Sequence, residues 1–231
     1  MARRSVVLEA AVVGGGGAAL GALAGRPFGP GFSIAGALVG GANGALSGVR
    51  ALYDWRRASG WAGALLDSTW GLIGTAGGLG VHALSRDAVY LPELSIRRGH
   101  HVYQRGWAPR RGFAFTAGNV ITGAGDPTSE RRRQLVERHE GLHVWQQRFF
   151  GPFFPLLYGG WMAGGAVTGA IAWSRTRAEP LFHVVERHAY YYNPFERWAY
   201  VADENWPPRR MQRSSRPGRD LVEVGDGRDE L

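Results

Sequence analysis

Apolar and small residues fill four long stretches of the chain, and polar segments separate these stretches. The first two cover residues 5–25 and 31–49, and the short segment 26–30 (Arg-Pro-Phe-Gly-Pro) joins them. Each approaches the roughly 20 apolar residues that a helix needs to cross a bilayer. Because the joint contains two prolines and a glycine, it predicts a tight turn. We therefore expect a transmembrane helical hairpin.

Both predicted hairpin helices carry glycine at every fourth position. This spacing puts the glycines on one helix face, where backbones approach closely and helices associate in lipid. A flexible linker is the alternative, but Ala, Leu, Val and Ile between the glycines argue against it. We expect the glycine faces to pack, and a homo-oligomer formed through them is one predicted partner. The glycines are Gly17, Gly21, Gly25, Gly36, Gly40, Gly44 and Gly48.

The third and fourth apolar stretches cover residues 61–84 and 153–173. Asp67 is the one acid in the third stretch. It is either a functional acid inside the membrane or a residue near a helix end at the headgroups, and the sequence leaves both open. Arginines precede the first predicted helix and follow the second, which favours a hairpin with both ends in the cytoplasm. They are Arg3, Arg4, Arg50, Arg56 and Arg57.

Residues 88–122 have a different pattern. Short β-prone pieces at 88–91, 94–96, 101–103 and 113–116 alternate with Gly, Pro and Arg. Such pieces predict two or three antiparallel strands outside the bilayer.

A helix is expected from Asp126, as N-cap, and Pro127 to about Phe150, where Gly151-Pro152 stops it. A later helix is expected over about 181–202. The predicted fold is a mainly α membrane helical bundle with a small antiparallel β segment. Its predicted parts are 1–84 (membrane helices), 85–125 (β-rich), 126–206 (chemistry-bearing helices) and 207–231 (a polar, disordered tail).

Composition narrows the possible chemistry. The chain has no cysteine, so any metal must be held by His, Asp or Glu. The net charge is +8, and every basic residue is arginine. A basic protein can bind nucleic acid, but these arginines flank apolar stretches, as juxtamembrane charges do. We therefore expect membrane lipid as a partner and no nucleic acid.

His139 and His143 stand four residues apart on the helix expected over 126–150. This spacing puts both imidazoles on one face, within reach of one metal ion. Glu140, next to the first histidine, can then act as general base toward a water that the metal activates. The pattern His-Glu-x-x-His on a helix is rare by chance and predicts a zinc site with Glu140 as the catalytic residue.

The residues His139-Glu140-Gly141-Leu142-His143 resemble the signature of zincin metallopeptidases. Around the motif, the chain also resembles uncharacterised bacterial membrane proteins that join glycine-zipper helices to this motif. The gluzincin branch takes its third ligand from a later Glu-x-x-Ala, and this resemblance implies Glu196, within Asn193-Pro194-Phe195-Glu196. Glu186 fits the same pattern. His100 and His101 are alternatives, and His183 and His188 are weaker ones.

A crossing of the membrane by residues 153–173 would put the motif and Glu196 on opposite sides. We expect instead a buried or half-inserted helix, followed by a returning one. The predicted function is a zinc-dependent, membrane-associated metallopeptidase acting on a protein or peptide, in the cytoplasmic membrane of a bacterium. The alternative is a non-catalytic glycine-zipper membrane or envelope protein that oligomerises.

Overall fold

The computed structural model describes residues 3–110, 112–209 and 211, and the chain forms two compact units, residues 1–152 and 153–231. The described residues are mainly helical with one small sheet, as expected. In the first unit the helices are α1 (Arg3–Gly25), α2 (Pro30–Val49), α3 (Ala58–Ser68), α4 (Leu72–Leu84), α5 (Glu130–Gln134) and α6 (Gly141–Phe150). In the second they are α7 (Phe154–Thr176), α8 (Leu181–Glu186) and α9 (Pro194–Ala202).

Helices α1 and α2 form the expected hairpin. Two helical segments, Ser5–Phe28 and Pro30–Val49, are long and apolar enough to cross a membrane. The glycine faces meet each other within the chain, so closely that a Cβ on Gly21 would overlap the carbonyl oxygen of Gly36. Near the open end of the hairpin, Glu9 accepts hydrogen bonds from Arg97 (Nη2, 2.9 Å) and Trp55 (Nε1, 2.8 Å). These bonds fix α1 to the rest of the first unit.

The third apolar stretch is two helices rather than one. Helix α3 ends at Ser68, and α4 begins at Leu72. At 1.5 Å per residue, neither reaches the roughly 30 Å of a bilayer core. The short segment between them reverses the chain, since Ser68 at the end of α3 lies near Gly17 in the middle of α1, whereas His82 at the end of α4 bonds to Tyr103, a partner of Arg50 at the open end of the hairpin.

Three short strands form the sheet: β1 (His101–Val102), β2 (Phe115–Ala117) and β3 (Val120–Thr122). Their order is β1-β3-β2. The expectation of a wholly antiparallel segment was wrong, because β1 pairs with β3 in parallel and only β2 pairs antiparallel. The long excursion between β1 and β2 lets β3 return in the direction of β1. A two-residue turn at Gly118 (φ +55°) instead forces β2 and β3 to be antiparallel.

Two of the other expected strand pieces have different structures. Residues Pro92–Leu94 form a short 3₁₀ turn, in which proline supplies the first position. Tyr90 makes a single antiparallel bridge to Tyr103. One hydrophobic core joins these pieces to the sheet and to the helix that carries the His-Glu-x-x-His motif; it includes Leu91, Leu94, Val102, Ile121, Val136 and Val144.

The motif lies on a helix formed by α5, a π-helical segment (Leu135–Glu140) and α6 without a break, here called the motif helix. The expected start at Asp126 was wrong. Ser129 is the N-cap, and Asp126 instead accepts hydrogen bonds from the backbone N–H and the hydroxyl of Thr128. The expected end was correct, since α6 stops at Phe150 and Gly151 has φ +52°.

The second unit has the returning helix that the sequence analysis expected. Helix α8 and the π-helical segment that follows it (Arg187–Tyr191) pack back along α7, where Gly165 and Gly169 admit their backbone. The single helix expected over 181–202 is broken before Asn193, whose side chain caps α9 by accepting from the N–H of Phe195. The tail expected to be disordered, 207–231, lies outside the described residues apart from 207–209 and 211.

Candidate metal centre

The imidazoles of His139 and His143 face each other in the first unit. Their Nε2 atoms are 3.3 Å apart, and both side chains are buried. Two nitrogen ligands of one tetrahedral ion, each at about 2.0–2.1 Å, would be separated by roughly 3.3–3.4 Å. The histidine pair therefore already has the spacing of one edge of a tetrahedral zinc site.

A hydrogen bond fixes the orientation of His143. Its Nδ1 lies 2.8 Å from Oε1 of Gln146, which is 1% exposed. An amide oxygen only accepts, so Nδ1 donates, and the lone pair of Nε2 points toward His139. A partner on the second ring nitrogen is the usual way in which proteins orient a metal-binding histidine.

A hydrogen bond from the sheet holds the side chain of Glu140 in place. Its Oε2 accepts a hydrogen bond of 2.6 Å from the hydroxyl of Thr116 on β2, and the side chain is 5% exposed. Two turns further on, Gln147 accepts from the N–H of Gly118 at 2.7 Å and donates to the carbonyl oxygen of Thr116 at 3.3 Å. Strand β2 and the motif helix are thus joined at Glu140 and again at Gln147, and the carboxylate has a defined position.

The π-helical segment ends inside the motif. The N–H of Gly141 bonds to the carbonyl oxygen of Val136, five residues earlier. Such π-helical insertions occur often at functional sites. A Cβ on Gly141 would lie 3.4 Å from that oxygen and 3.7 Å from Cε1 of His100, which are ordinary contacts. Glycine is therefore not sterically required at this position.

Asp67 lies in a buried polar network. Arg148 of the motif helix contacts both of its carboxylate oxygens, at 2.8 and 2.7 Å. Tyr53 (2.9 Å) and Asn119 (3.1 Å) donate to the same carboxylate, and Asn119 also donates to Asn43 of α2. This network connects α2, α3, the sheet and the end of the motif helix.

The alternative ligands His100 and His101 are both buried in the first unit. Burial, with Arg148 and Arg98 nearby, lowers the pKa of His100 to about 3. The Nε2 atom of His101 lies 3.2 Å from the Ser47 hydroxyl, and its ring packs edge-on against His82. His101 therefore belongs to a separate buried cluster.

Glu196 occupies a buried position in the first turn of α9. It accepts a hydrogen bond of 2.7 Å from the Tyr158 hydroxyl in the first turns of α7. The ring of Phe195 packs against Phe154 and Tyr158. Burial, and then the charge of Glu196, raise the pKa of Tyr190 well above its ordinary value. The returning helix thus carries Glu196 back to the first turns of α7.

The other candidate ligands in the second unit are less enclosed. Glu186 is partly exposed at the end of α8, and His183 is exposed. His188 donates from Nδ1 to the carbonyl oxygen of Val184 at 2.9 Å.

Sequence analysis missed the residues that support the motif. Gln146 and Gln147 lie three and four residues after His143 on the same helix, and that spacing was an available signal. Thr116 and Tyr158 lie 24 and 38 residues from their partners, and no local pattern marks them. Comparison with protein-family models, with curated proteins and with solved structures gives no match.

Proposed function

We propose that this chain is a membrane-associated, zinc-dependent metallopeptidase. The observation that carries the proposal is the 3.3 Å separation of the two Nε2 atoms on a His-Glu-x-x-His helix, with Glu140 held by Thr116. An imidazole–imidazole hydrogen bond has the same separation, and the metal content of the purified chain distinguishes it from a metal site.

His139, His143 and Glu196 are the proposed ligands. All three are buried, each within its own unit, and each offers a nitrogen or a carboxylate oxygen that can bind a metal ion. Glu186 is partly exposed. Two imidazoles and a carboxylate suit zinc and leave its fourth position open, as in catalytic sites. The Tyr158 hydroxyl would keep the Glu196 carboxylate in one orientation.

A bound zinc ion would lower the pKa of a water molecule and polarise the carbonyl of the scissile bond. Glu140 would accept the proton of the attacking water and return it to the leaving amine. The bond from Thr116 fixes Oε2 of Glu140, so that the other carboxylate oxygen remains to move the proton. His139 and His143 act as ligands only, and Gln146 holds the ring of His143.

The α1–α2 hairpin is the proposed anchor in the cytoplasmic membrane of a bacterium. This proposal is supported by the length and apolar composition of the two helices. It is also supported by the arginines at the open end of the hairpin. The proposed substrate is a protein or peptide close to the membrane. A homo-oligomer through the glycine faces stays a prediction. Because these faces pack on each other within the chain, a second copy would have to exchange helices to use them.

Metal content is the first test. The chain is purified in detergent, and bound metals are measured by mass spectrometry, with His139→Ala and Glu196→Ala in parallel. We expect about one zinc per chain, with loss of zinc in both variants. Zinc retained in Glu196→Ala would move the third ligand to Glu186, His100 or His101. Absence of metal from the parent chain, even after zinc is resupplied, would leave the alternative of a non-catalytic membrane protein.

Catalysis is tested separately with Glu140→Gln, which removes the base and keeps the shape of the side chain. Fluorescein-labelled casein and a quenched peptide library serve as probes. We expect the variant to retain zinc and lose hydrolysis. Thr116→Val is the matched partner change, and we expect it to lower the rate by about 10–100-fold with zinc still bound. Hydrolysis that persists in Glu140→Gln would contradict the assigned base.

A further inference from the structure

The turn between α3 and α4 and the end of the motif helix form one apolar surface on the first unit. Trp70, Ile73 and Phe149 are 45%, 55% and 75% exposed there. Nε1 of Trp70 donates to the carbonyl oxygen of Phe149 at 3.0 Å, which joins the two elements. These three residues are called the Trp70 surface below.

The Trp70 surface lies beside the middle of the hairpin. Ser68 precedes the turn, and its hydroxyl lies 3.4 Å from the position of a Cβ on Gly17. Gly17 is close to the centre of the candidate span Ser5–Phe28. If that span crosses the bilayer, the Trp70 surface lies at a depth occupied by acyl chains.

The chemistry of this region suits lipid. Asp67 is the one Asp, Glu, Lys or Arg in residues 58–84, and Arg148 neutralises it inside the unit. The indole N–H groups are satisfied within the protein, for Trp61 as well as Trp70, since Trp61 donates to the carbonyl oxygen of Trp55 at 2.9 Å. An aromatic surface without unsatisfied donors meets the main requirement for contact with hydrocarbon.

The hairpin itself also exposes apolar side chains along its length. Val7, Leu8 and Val12 lie in the half nearer its open end and are 68%, 65% and 64% exposed. Leu23 and Leu38, at 61% and 68%, lie in the other half. Lipid around the whole hairpin would therefore continue onto the Trp70 surface, which favours lipid over a second copy as its occupant.

We propose that the Trp70 surface contacts acyl chains, so that α3 and α4 form a re-entrant helix pair beside the hairpin. Their 11 and 13 residues correspond to about 16 and 20 Å, enough to enter a core of about 30 Å and return. The motif helix then enters the membrane by its C-terminal end. The inference rests on the proposed anchoring by the hairpin.

This arrangement narrows the substrate class of the proposed peptidase. His143 precedes Phe149 by six residues, about 9 Å along the helix. The motif would therefore lie within about two helical turns of lipid. The substrate would be a polypeptide held at the membrane surface or within it.

Site-specific quenching tests the proposal, because the chain has no cysteine of its own. Phe149→Cys, Leu38→Cys and Arg133→Cys are each labelled with an environment-sensitive nitrobenzoxadiazole probe in proteoliposomes. Lipids carrying a nitroxide on the acyl chain are then added to the membrane. We expect loss of fluorescence at residue 149 comparable to that at residue 38, and little loss at residue 133, an exposed site on α5. Ile73→Cys is the second probe of the surface, and circular dichroism checks the fold of each variant.

The outcomes separate this inference from the anchoring on which it rests. Quenching at residue 38 without quenching at residues 73 and 149 would overturn the inference and leave the anchor intact. Absence of quenching at all sites would remove the anchor itself. A blue-shifted emission at residue 149 that the lipid nitroxide does not quench would mean that protein covers the surface, and would also overturn the inference.

Discussion

Arg148 makes a two-pronged ion pair with Asp67, a residue 81 positions earlier in the chain, and the side chain of each is only 3% exposed. The pair fixes the last turn of the motif helix to α3. Burial opposes the charge of Arg148, but the facing carboxylate more than offsets this and raises the pKa of the guanidinium. The placement of the motif helix, and with it that of His139 and His143, therefore depends on a residue far from the motif in sequence.

Loss of one member of this ion pair should strongly destabilise the folded protein. We expect Asp67→Ala to lower the free energy of unfolding by about 3–5 kcal/mol, because it leaves a buried guanidinium without its counter-ion. Chemical denaturation in detergent, followed by circular dichroism, measures the change. Asp87→Ala is the control, since Asp87 pairs with Arg86 at the surface and should contribute less than about 1 kcal/mol. Equal effects of the two substitutions would contradict the assigned role.

Alanine in place of glycine should have opposite effects at two positions. Gly141→Ala should be neutral or stabilise by up to about 1 kcal/mol, because the space exists and alanine favours the helix. Gly21→Ala should disrupt the hairpin, because its Cβ would overlap the backbone of Gly36. Thermal unfolding in detergent compares both variants with the parent chain. A strongly destabilised Gly141→Ala would show that the motif helix is packed more tightly than its contacts indicate.

Tyr158 should support metal binding through Glu196. Tyr158→Phe removes the hydroxyl that donates to the carboxylate at 2.7 Å. We expect zinc affinity to fall by about 10–100-fold, the usual effect of losing a partner of a ligand. Competition with a chromophoric zinc chelator measures the affinity. Tyr192→Phe, at a tyrosine 42% exposed that packs against His188, is the control and should leave the affinity unchanged.

Stability should fall in mild acid because His100 is buried as the neutral imidazole. Its pKa in the folded chain, about 3, lies below the roughly 6.5 of an exposed histidine. As the pH falls below about 6.5, the unfolded chain takes up the proton first. The free energy of unfolding then decreases by up to about 1.4 kcal/mol per pH unit for this group.

Unfolding between pH 7.5 and 5.0, with a chelator present to remove the effect of metal, tests this dependence. His100→Gln should give a shallower decrease than the parent chain. Burial also lowers the pKa of His101 well below its ordinary value, so a reduced slope rather than a flat one is expected. An unchanged slope in His100→Gln would contradict the role of His100.

The sequence by itself determined those elements whose signals are local. Glycines spaced four residues apart predicted the α1–α2 hairpin and its close faces, and Gly151 predicted the end of the motif helix. The four-residue spacing of His139 and His143 was enough to bring their imidazoles together, because an α-helical turn sets that geometry.

Tertiary structure decided everything that depends on contacts between distant segments. It made β1 parallel to β3, divided residues 61–84 into α3 and α4, and gave Asp67 the partner Arg148. It also brought the Thr116 hydroxyl within hydrogen-bond distance of Glu140, and the Tyr158 hydroxyl within hydrogen-bond distance of Glu196. These partners are 24 to 81 residues apart, and which side chains meet over such separations is set by how the elements pack. Sequence periodicity depends only on residues that are close along the chain, so it does not predict contacts between distant segments.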